Sequence, residues 1–182
     1  MMATSLPQRF EVSPPVIWAP LSMILLAGVL PLAAIGYTLL RGPAQSEAAR
    51  WGMAYPAGFV LVLLIALLLL MRRRAVAWQN GVLSIRAALY TKRIAASELD
   101  LERARVVDLE ERTELRPGLK SNGYSTIGFS AGHFRMRNGL GSAFCLLTQR
   151  QRVLWLPQRD GKHHLLLSLE RPQALLDALR RA

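Results

Sequence analysis

The stretch Trp51–Arg74, WGMAYPAGFVLVLLIALLLLMRRR, decides how this chain is organised. Residues 51–71 carry no charge, and three arginines follow at once. An α-helix of this length rises roughly 30 Å, which matches the hydrocarbon core of a bilayer. The alternative is a buried helix of a soluble core, but such helices are usually shorter and carry a polar stripe. The stretch therefore predicts a transmembrane helix over residues 51–71.

A second uncharged run, Val16–Leu40, precedes this one. A cleaved secretory signal is disfavoured, because its apolar region would be too long and the residues before it are not strongly basic. We therefore predict a first transmembrane helix over residues 16–40, kinked at Pro31, and an external loop over residues 41–50. The two helices form an antiparallel hairpin. Neither contains an ionisable residue, which favours an anchor over a transport pathway.

The arginines after the second span predict the orientation of the chain. Positive charge flanking a span favours the cytoplasmic side of a membrane. Residues 72–182 are therefore expected in the cytosol, at the inner face of the membrane. With two spans, the short N-terminal segment, residues 1–15, is also cytosolic, and we expect little fixed structure in it.

The charge of the chain lies almost entirely after the spans. The net charge is +11, and residues 72–182 hold 20 of the 23 basic and 10 of the 12 acidic side chains. A basic domain beside a membrane is attracted to anionic lipid head groups by about 1 kcal/mol per Lys or Arg near the surface. Nucleic acid would be attracted by the same charge, but no aromatic residues alternate with the basic ones, which disfavours it.

After Arg74 the apolar pattern changes to that of short strands joined by tight turns. Turn signals occur at Asn80-Gly81, Asn138-Gly139 and Asp160-Gly161. We predict about seven strands, an exposed loop over Glu110–Thr126, and a terminal helix over Glu170–Arg181. The fold class is a membrane α-helical hairpin followed by a mostly-β barrel or sandwich with a C-terminal helix.

Several structural motifs in the second half of this domain support a resemblance. They are Gly128-x-x-x-Gly132-x-Phe134, Asn138-Gly139, Val153-Leu154-Trp155-Leu156-Pro157, Leu165-Leu166-Leu167-Ser168 and Ser168-x-Glu170-x-Pro172. The chain resembles the bacterial membrane-anchored family of pleckstrin-homology-like (PH-like) domains. That family often has proline directly after the serine, where this chain has Leu169. The resemblance implies a PH-like fold over residues 72–182 and a place in the bacterial inner membrane, but no catalytic residues.

No reactive constellation stands out in the sequence. Adjacent residues of a strand point to opposite faces, so His163 and His164 cannot easily share one metal. Cys145 and His133 could be imagined as a nucleophile pair, but Cys145 lies between apolar residues and reads as a small core residue. We therefore predict no cofactor, no metal site and no enzymatic activity.

The sequence instead favours a binding function for the basic domain. Its partners would be the lipid bilayer and its anionic phospholipid head groups, a protein partner, or a second copy of the chain. The residues predicted to contact the membrane or an anionic partner are Arg72, Arg73, Arg74, Arg86, Lys92, Arg93, Arg135 and Arg137. The alternatives are an accessory subunit of a membrane transporter or envelope complex, in which the spans make the contact, and a membrane-associated enzyme.

Overall fold

The computed structural model describes residues 7–41, 47–137, 139 and 141–181. The chain divides into two compact units. One holds Ile17–Arg72, and the other holds the segments on either side of it. As predicted, two long apolar helices near the N-terminus are followed by a mostly-β domain with a C-terminal helix. The described residues form ten strands in two sheets, where about seven strands were predicted. The predictions made for residues 1–6, for residues 42–46 and for Asn138 concern residues that the structure does not describe.

The helical unit contains two helices long and apolar enough to span a membrane. The first consists of α1 (Trp18–Met23), a π-helical segment (Ile24–Val29) and α2 (Leu30–Arg41), and the second is α3 (Glu47–Arg72). The apolar stretches Trp18–Arg41 and Trp51–Arg72 have mean hydropathies of 2.2 and 2.6. Residues 47–50 were predicted in the external loop but form the first turn of α3. Their sequence, Glu-Ala-Ala-Arg, consists of good helix formers.

The π-helical segment lies directly before Pro31. A proline ring inside a helix clashes with the carbonyl four residues earlier, which here is that of Ala27. Ala27 lies within the π-helical stretch Ile24–Val29. The wider turn moves this carbonyl away from the ring, which is a common way for a helix to accommodate an irregular residue.

A glycine of the first helix makes the close approach between the two helices. A Cβ added to Gly28 would lie 2.8 Å from Cδ2 of Leu64 in α3, and Thr38 Oγ1 lies 3.6 Å from Met53 Sδ. The pair Ala54-x-x-x-Gly58 is a small-residue motif typical of helix contacts. In the structure, however, a Cβ on Gly58 would meet nothing within 4 Å, so the packing of this hairpin uses Gly28 instead.

The β unit contains two sheets and one helix. The first sheet has the order β1-β2-β3-β4, and the second has the order β5-β9-β10-β8-β7-β6. The strands of the first sheet are β1 (Gln8–Phe10), β2 (Arg74–Gln79), β3 (Val82–Ala87) and β4 (Tyr90–Ala95). Those of the second are β5 (Arg105–Val107), β6 (Pro117–Thr126), β7 (Phe129–Met136), β8 (Ser142–Leu147), β9 (Val153–Pro157) and β10 (His163–Ser168). The helix is α4 (Pro172–Arg180), whose buried residues include Leu175, Leu176 and Leu179.

The N-terminal segment is part of this β unit, and our prediction of little fixed structure there was wrong. β1 pairs antiparallel with β2, so Phe10 lies opposite Val76. Val12 then forms a bridge with Leu169, and Ser13 N donates to Ser168 O at 3.2 Å. The segment thus adds an edge to the first sheet and reaches the end of the second. Three residues of polar and apolar character are too few to show a strand pattern in the sequence.

The predicted loop over Glu110–Thr126 was also wrong in its second half. Pro117–Thr126 is β6, the edge strand of the second sheet, and it pairs with β7 through two register irregularities near Lys120. Most of its side chains are exposed, so the apolar alternation that predicts a strand is missing. Proline, lysine and bulges are common on edge strands, because they discourage pairing with another chain.

The centre of the second sheet is buried on both faces. Cys145, Leu166 and Trp155 lie opposite one another on one face, and Phe144, Leu165 and Leu156 do so on the other. All six are buried. β10 inserts between β8 and β9 and runs parallel to β8. Parallel pairing is typical of sheets covered on both sides, which explains the continuous apolar runs of these strands.

Candidate anion-binding surface

Strand register in the first sheet brings three arginines to one face. Arg9 of β1 lies opposite Ala77 of β2, Ala77 opposite Ser84 of β3, and Ser84 opposite Arg93 of β4. Residues directly opposite in a sheet project to the same side. These four positions therefore form one row across the four strands, with Arg9 at one end and Arg93 at the other.

The third arginine stands two residues further along β3. Arg86 lies opposite Ala75 of β2 and Thr91 of β4, and it shares the face of Ser84 because side chains two apart point the same way. Arg9, Arg86 and Arg93 are all exposed. We call these three residues the arginine face.

The surroundings of the arginine face hold little negative charge. The residues between the arginines are small, chiefly alanine, serine and threonine, so no bulky side chain covers them. Strands β1 to β4 contain no Asp or Glu, and the acid nearest along the chain is Glu11, one residue after β1. Such a face attracts anions and gives no apolar contact of its own.

No protein-family model, no curated protein and no solved structure matches this chain. Only the geometry and charge of the arginine face therefore indicate what it could bind.

The three consecutive arginines at the end of α3 have different environments. Arg72 is the exposed last residue of α3, and exposed Arg73 accepts a hydrogen bond at its carbonyl from Ala88 N at 2.9 Å. Arg74 begins β2, on the side opposite the arginine face, and is half-buried. Its Nη1 donates to Ser13 O at 3.4 Å, and burial lowers the pKa of its guanidinium. Arg74 therefore ties the N-terminal segment to β2.

Lys92 also lies away from the arginine face. It is opposite Ile85, on the side of β4 that carries Tyr90. The Tyr90 ring makes an edge contact with His133 of β7 at 6.2 Å between centroids. Burial lowers the pKa of His133, and the charges of Lys92 and His163 lower it further. Lys92 thus faces the second sheet, next to an imidazole that is held towards its neutral form.

The last two predicted contact residues belong to the second sheet. Arg135 lies on β7 opposite Ser142, and Arg137 follows the end of β7; both are exposed. The predicted set is therefore not one patch. Arg86 and Arg93 come together as a pair, and they are joined by Arg9, which the sequence did not single out. The alternation of Arg9 and Glu11 with Phe10 and Val12 is the only signal that could have suggested it.

The cysteine and the two adjacent histidines of the second sheet lie in different environments. Cys145 is fully buried, and burial raises the pKa of its thiol. His164 is buried, whereas exposed His163 contacts the Asp160 carboxylate through Nδ1. That hydrogen bond is the largest cause of a pKa of about 2 for Asp160. The prediction that His163 and His164 occupy opposite faces is confirmed by their burial, and the core position of Cys145 is confirmed as well.

Proposed function

We propose that this chain is a protein of the bacterial inner membrane, anchored by its two apolar helices, whose PH-like β domain binds anionic phospholipid head groups. The arginine face carries this proposal: three exposed arginines stand on one side of a sheet whose strands hold no acid. The PH-like assignment rests on the sequence motifs of the second half of the domain.

Within the β unit, the arginine face lies close in sequence and register to Arg73, the residue that follows α3. Strand residues rise about 3.3 Å each, so Ala77 lies within about 13 Å of Arg73. Arg86 is nearer still, because it is opposite Ala75. If Arg73 lies at the membrane surface, the arginine face can approach the head groups to within about two Debye lengths at physiological salt.

The magnitude of the interaction follows from the number of charges. At about 1 kcal/mol for each basic residue near an anionic leaflet, the arginine face contributes roughly 3 kcal/mol. That energy is too small to hold a soluble protein on a membrane for long. It is sufficient to orient a domain that two helices already tether, because tethering removes the cost of bringing the partners together.

The test uses the full chain in nanodiscs, with a fluorophore on Val82→Cys at the far end of the arginine face. The native Cys145 is buried and will not compete for the label. Lipids with a quencher on the head group report the approach of the face to the membrane. We expect stronger quenching in discs with about 30% phosphatidylglycerol than in pure phosphatidylcholine, and loss of the difference as salt approaches about 0.5 M.

The double variant Arg86→Gln/Arg93→Gln should remove most of the dependence on lipid charge. Arg103→Gln/Lys162→Gln is the control, since it removes the same charge from exposed positions outside the first sheet. Quenching that ignores lipid charge, or that falls equally in both double variants, would reject lipid binding by the arginine face.

A further inference from the structure

The β unit contains a cavity of about 340 Å³ that the arginine face does not use. It lies between the β6–β7 hairpin and the residues that precede β6, and it extends to the end of β8. Its apolar lining includes four buried side chains, which are Leu109, Phe129, Phe134 and Leu147. Ile127, at the tip of the hairpin, also lines it and is 65% exposed.

Two arginines supply the charge of this cavity. Arg116 is held in place by its own donors: Nε donates to Leu109 O, and Nη2 donates to Glu110 O at 2.9 Å. The carbonyl of Arg150 accepts from Leu109 N at 2.9 Å, which fixes its backbone beside the same segment, while its side chain is exposed. The lining contains no Asp or Glu. The cavity therefore combines an apolar floor with a cationic rim.

Volume limits what such a cavity can hold. At about 30 Å³ for each non-hydrogen atom, the share of one water in the liquid, 340 Å³ accommodates roughly eleven atoms. We propose that this cavity binds a small anionic amphiphile, namely a carboxylate on a short apolar chain, with the chain against Phe129, Phe134 and Leu147 and the carboxylate at Arg150. Octanoate, with ten non-hydrogen atoms, matches both the volume and the charge.

The hydroxyl groups of the lining fit this orientation. Ser125 and Ser130 lie opposite each other on β6 and β7, and their Oγ atoms are 3.0 Å apart. One of the two hydroxyls donates to the other, so a single hydroxyl hydrogen of this exposed wall remains for water. An apolar chain that leaves this hydrogen in contact with water buries no unsatisfied donor.

This inference is independent of the proposed lipid contact. The cavity belongs to the second sheet and shares no residue with the arginine face. A binding measurement in discs of uncharged lipid can therefore succeed or fail whatever the arginine face does.

The experiment is equilibrium dialysis of labelled octanoate against the full chain in phosphatidylcholine nanodiscs, with empty discs as the blank. We expect saturable binding at one site. Octylamine, of similar length and opposite charge, should not compete. Butanoate should compete roughly a hundredfold more weakly, because it lacks four methylene groups. Equal competition by octanoate and octylamine would overturn the proposal.

Two variants test the place of binding. Arg150→Gln should weaken octanoate about three- to fivefold, since an exposed charge contributes modestly, and Arg150→Glu should abolish saturable binding. Ser130→Leu should block the cavity without changing its charge. Lys162→Gln, an exposed lysine outside the lining, is the control and should bind as the unaltered chain does. Unchanged affinity in Arg150→Glu, whose exposed site tolerates substitution, would refute the site even if Ser130→Leu did not fold.

Discussion

At the scale of single residues, the fold requires the second glycine of the motif Gly128-x-x-x-Gly132-x-Phe134. It lies on β7 opposite Gly123 of β6 and has a φ of +112°, a region that L side chains rarely adopt. A Cβ at this position would stand 2.6 Å from the Gly123 Cα and 2.7 Å from Asn122 O. Both contacts are with backbone atoms, so no side chain can rotate to relieve them.

We predict that Gly132→Ala destabilises the β unit strongly. The positive φ alone costs an alanine about 1 kcal/mol, and the backbone clash should add about 2 kcal/mol or more. The measurement is the thermal unfolding midpoint of the full chain in mild detergent. Gly161→Ala is the matched control, because Gly161 also has a positive φ, of +69°, but a Cβ there would meet nothing within 4 Å.

If the two alanine variants unfolded at the same temperature, the close approach of β6 and β7 would not be as described. Gly161→Ala reports the cost of an alanine at a positive φ without a clash, and the difference between the variants reports the clash together with the less favourable φ of Gly132.

At the scale of elements, β1 makes the β unit discontinuous in sequence. The helical residues Ile17–Arg72 are inserted between two hydrogen-bonded neighbours, β1 and β2. The N-terminal segment also joins the end of the second sheet, where Glu170 N donates to Glu11 O at 3.1 Å and Gln149 Nε2 to Ser13 Oγ at 3.4 Å. The segment is therefore a structural part of the domain and not only a leader to the first helix.

Replacement of the helices should leave a folded soluble domain. Joining residues 7–16 to residues 73–181 by a flexible linker of about six residues spans roughly 13 Å. We predict cooperative denaturation for this variant. A second variant that begins at residue 73 lacks β1 and should be less stable by about 2 kcal/mol, because β2 keeps only β3 as a partner and becomes a free edge. Equal denaturation midpoints would show that β1 contributes nothing to the fold.

At the scale of the whole molecule, the same pairing constrains topology. A membrane cannot pass between two strands that are hydrogen-bonded to each other. If the helices span a membrane as proposed, both ends of the helical insertion therefore lie on the same side of it. The charges of Arg72, Arg73 and Arg74 play no part in this constraint. Charge enters only in the choice of side, which the flanking rule assigns to the cytosol.

We therefore predict that reporters fused to the two ends of the chain always report the same compartment. Both should be cytosolic in the unaltered chain, and a cysteine in place of Ala44 should react with an impermeant reagent added from outside. Replacing Arg72, Arg73 and Arg74 by glutamate should weaken the preference for the cytosol without separating the two ends. Termini found in different compartments would contradict the β1–β2 pairing in the membrane-bound protein.

The sequence alone determined the elements with strong local signals. The uncharged runs predicted both helices, because their length and apolarity are local properties. The Asn80-Gly81 turn was predicted as well, and both residues adopt the positive φ that such a turn requires. The strands with apolar runs and the terminal helix followed from periodicity in the same way.

Tertiary structure decided the pairing and therefore the surfaces. β1 has only three residues and most side chains of β6 are exposed, so neither strand shows an apolar pattern long enough to predict it, and their backbone partners define them. Lys92 and Arg93 lie on opposite faces of β4, as alternation along one strand predicts. Arg93 and Arg9 share a face only because β1, which precedes the helices in sequence, pairs in register with β2, which follows them. Side-chain periodicity is encoded locally, whereas register is set by long-range hydrogen bonds and burial, and these exist only once the chain has folded.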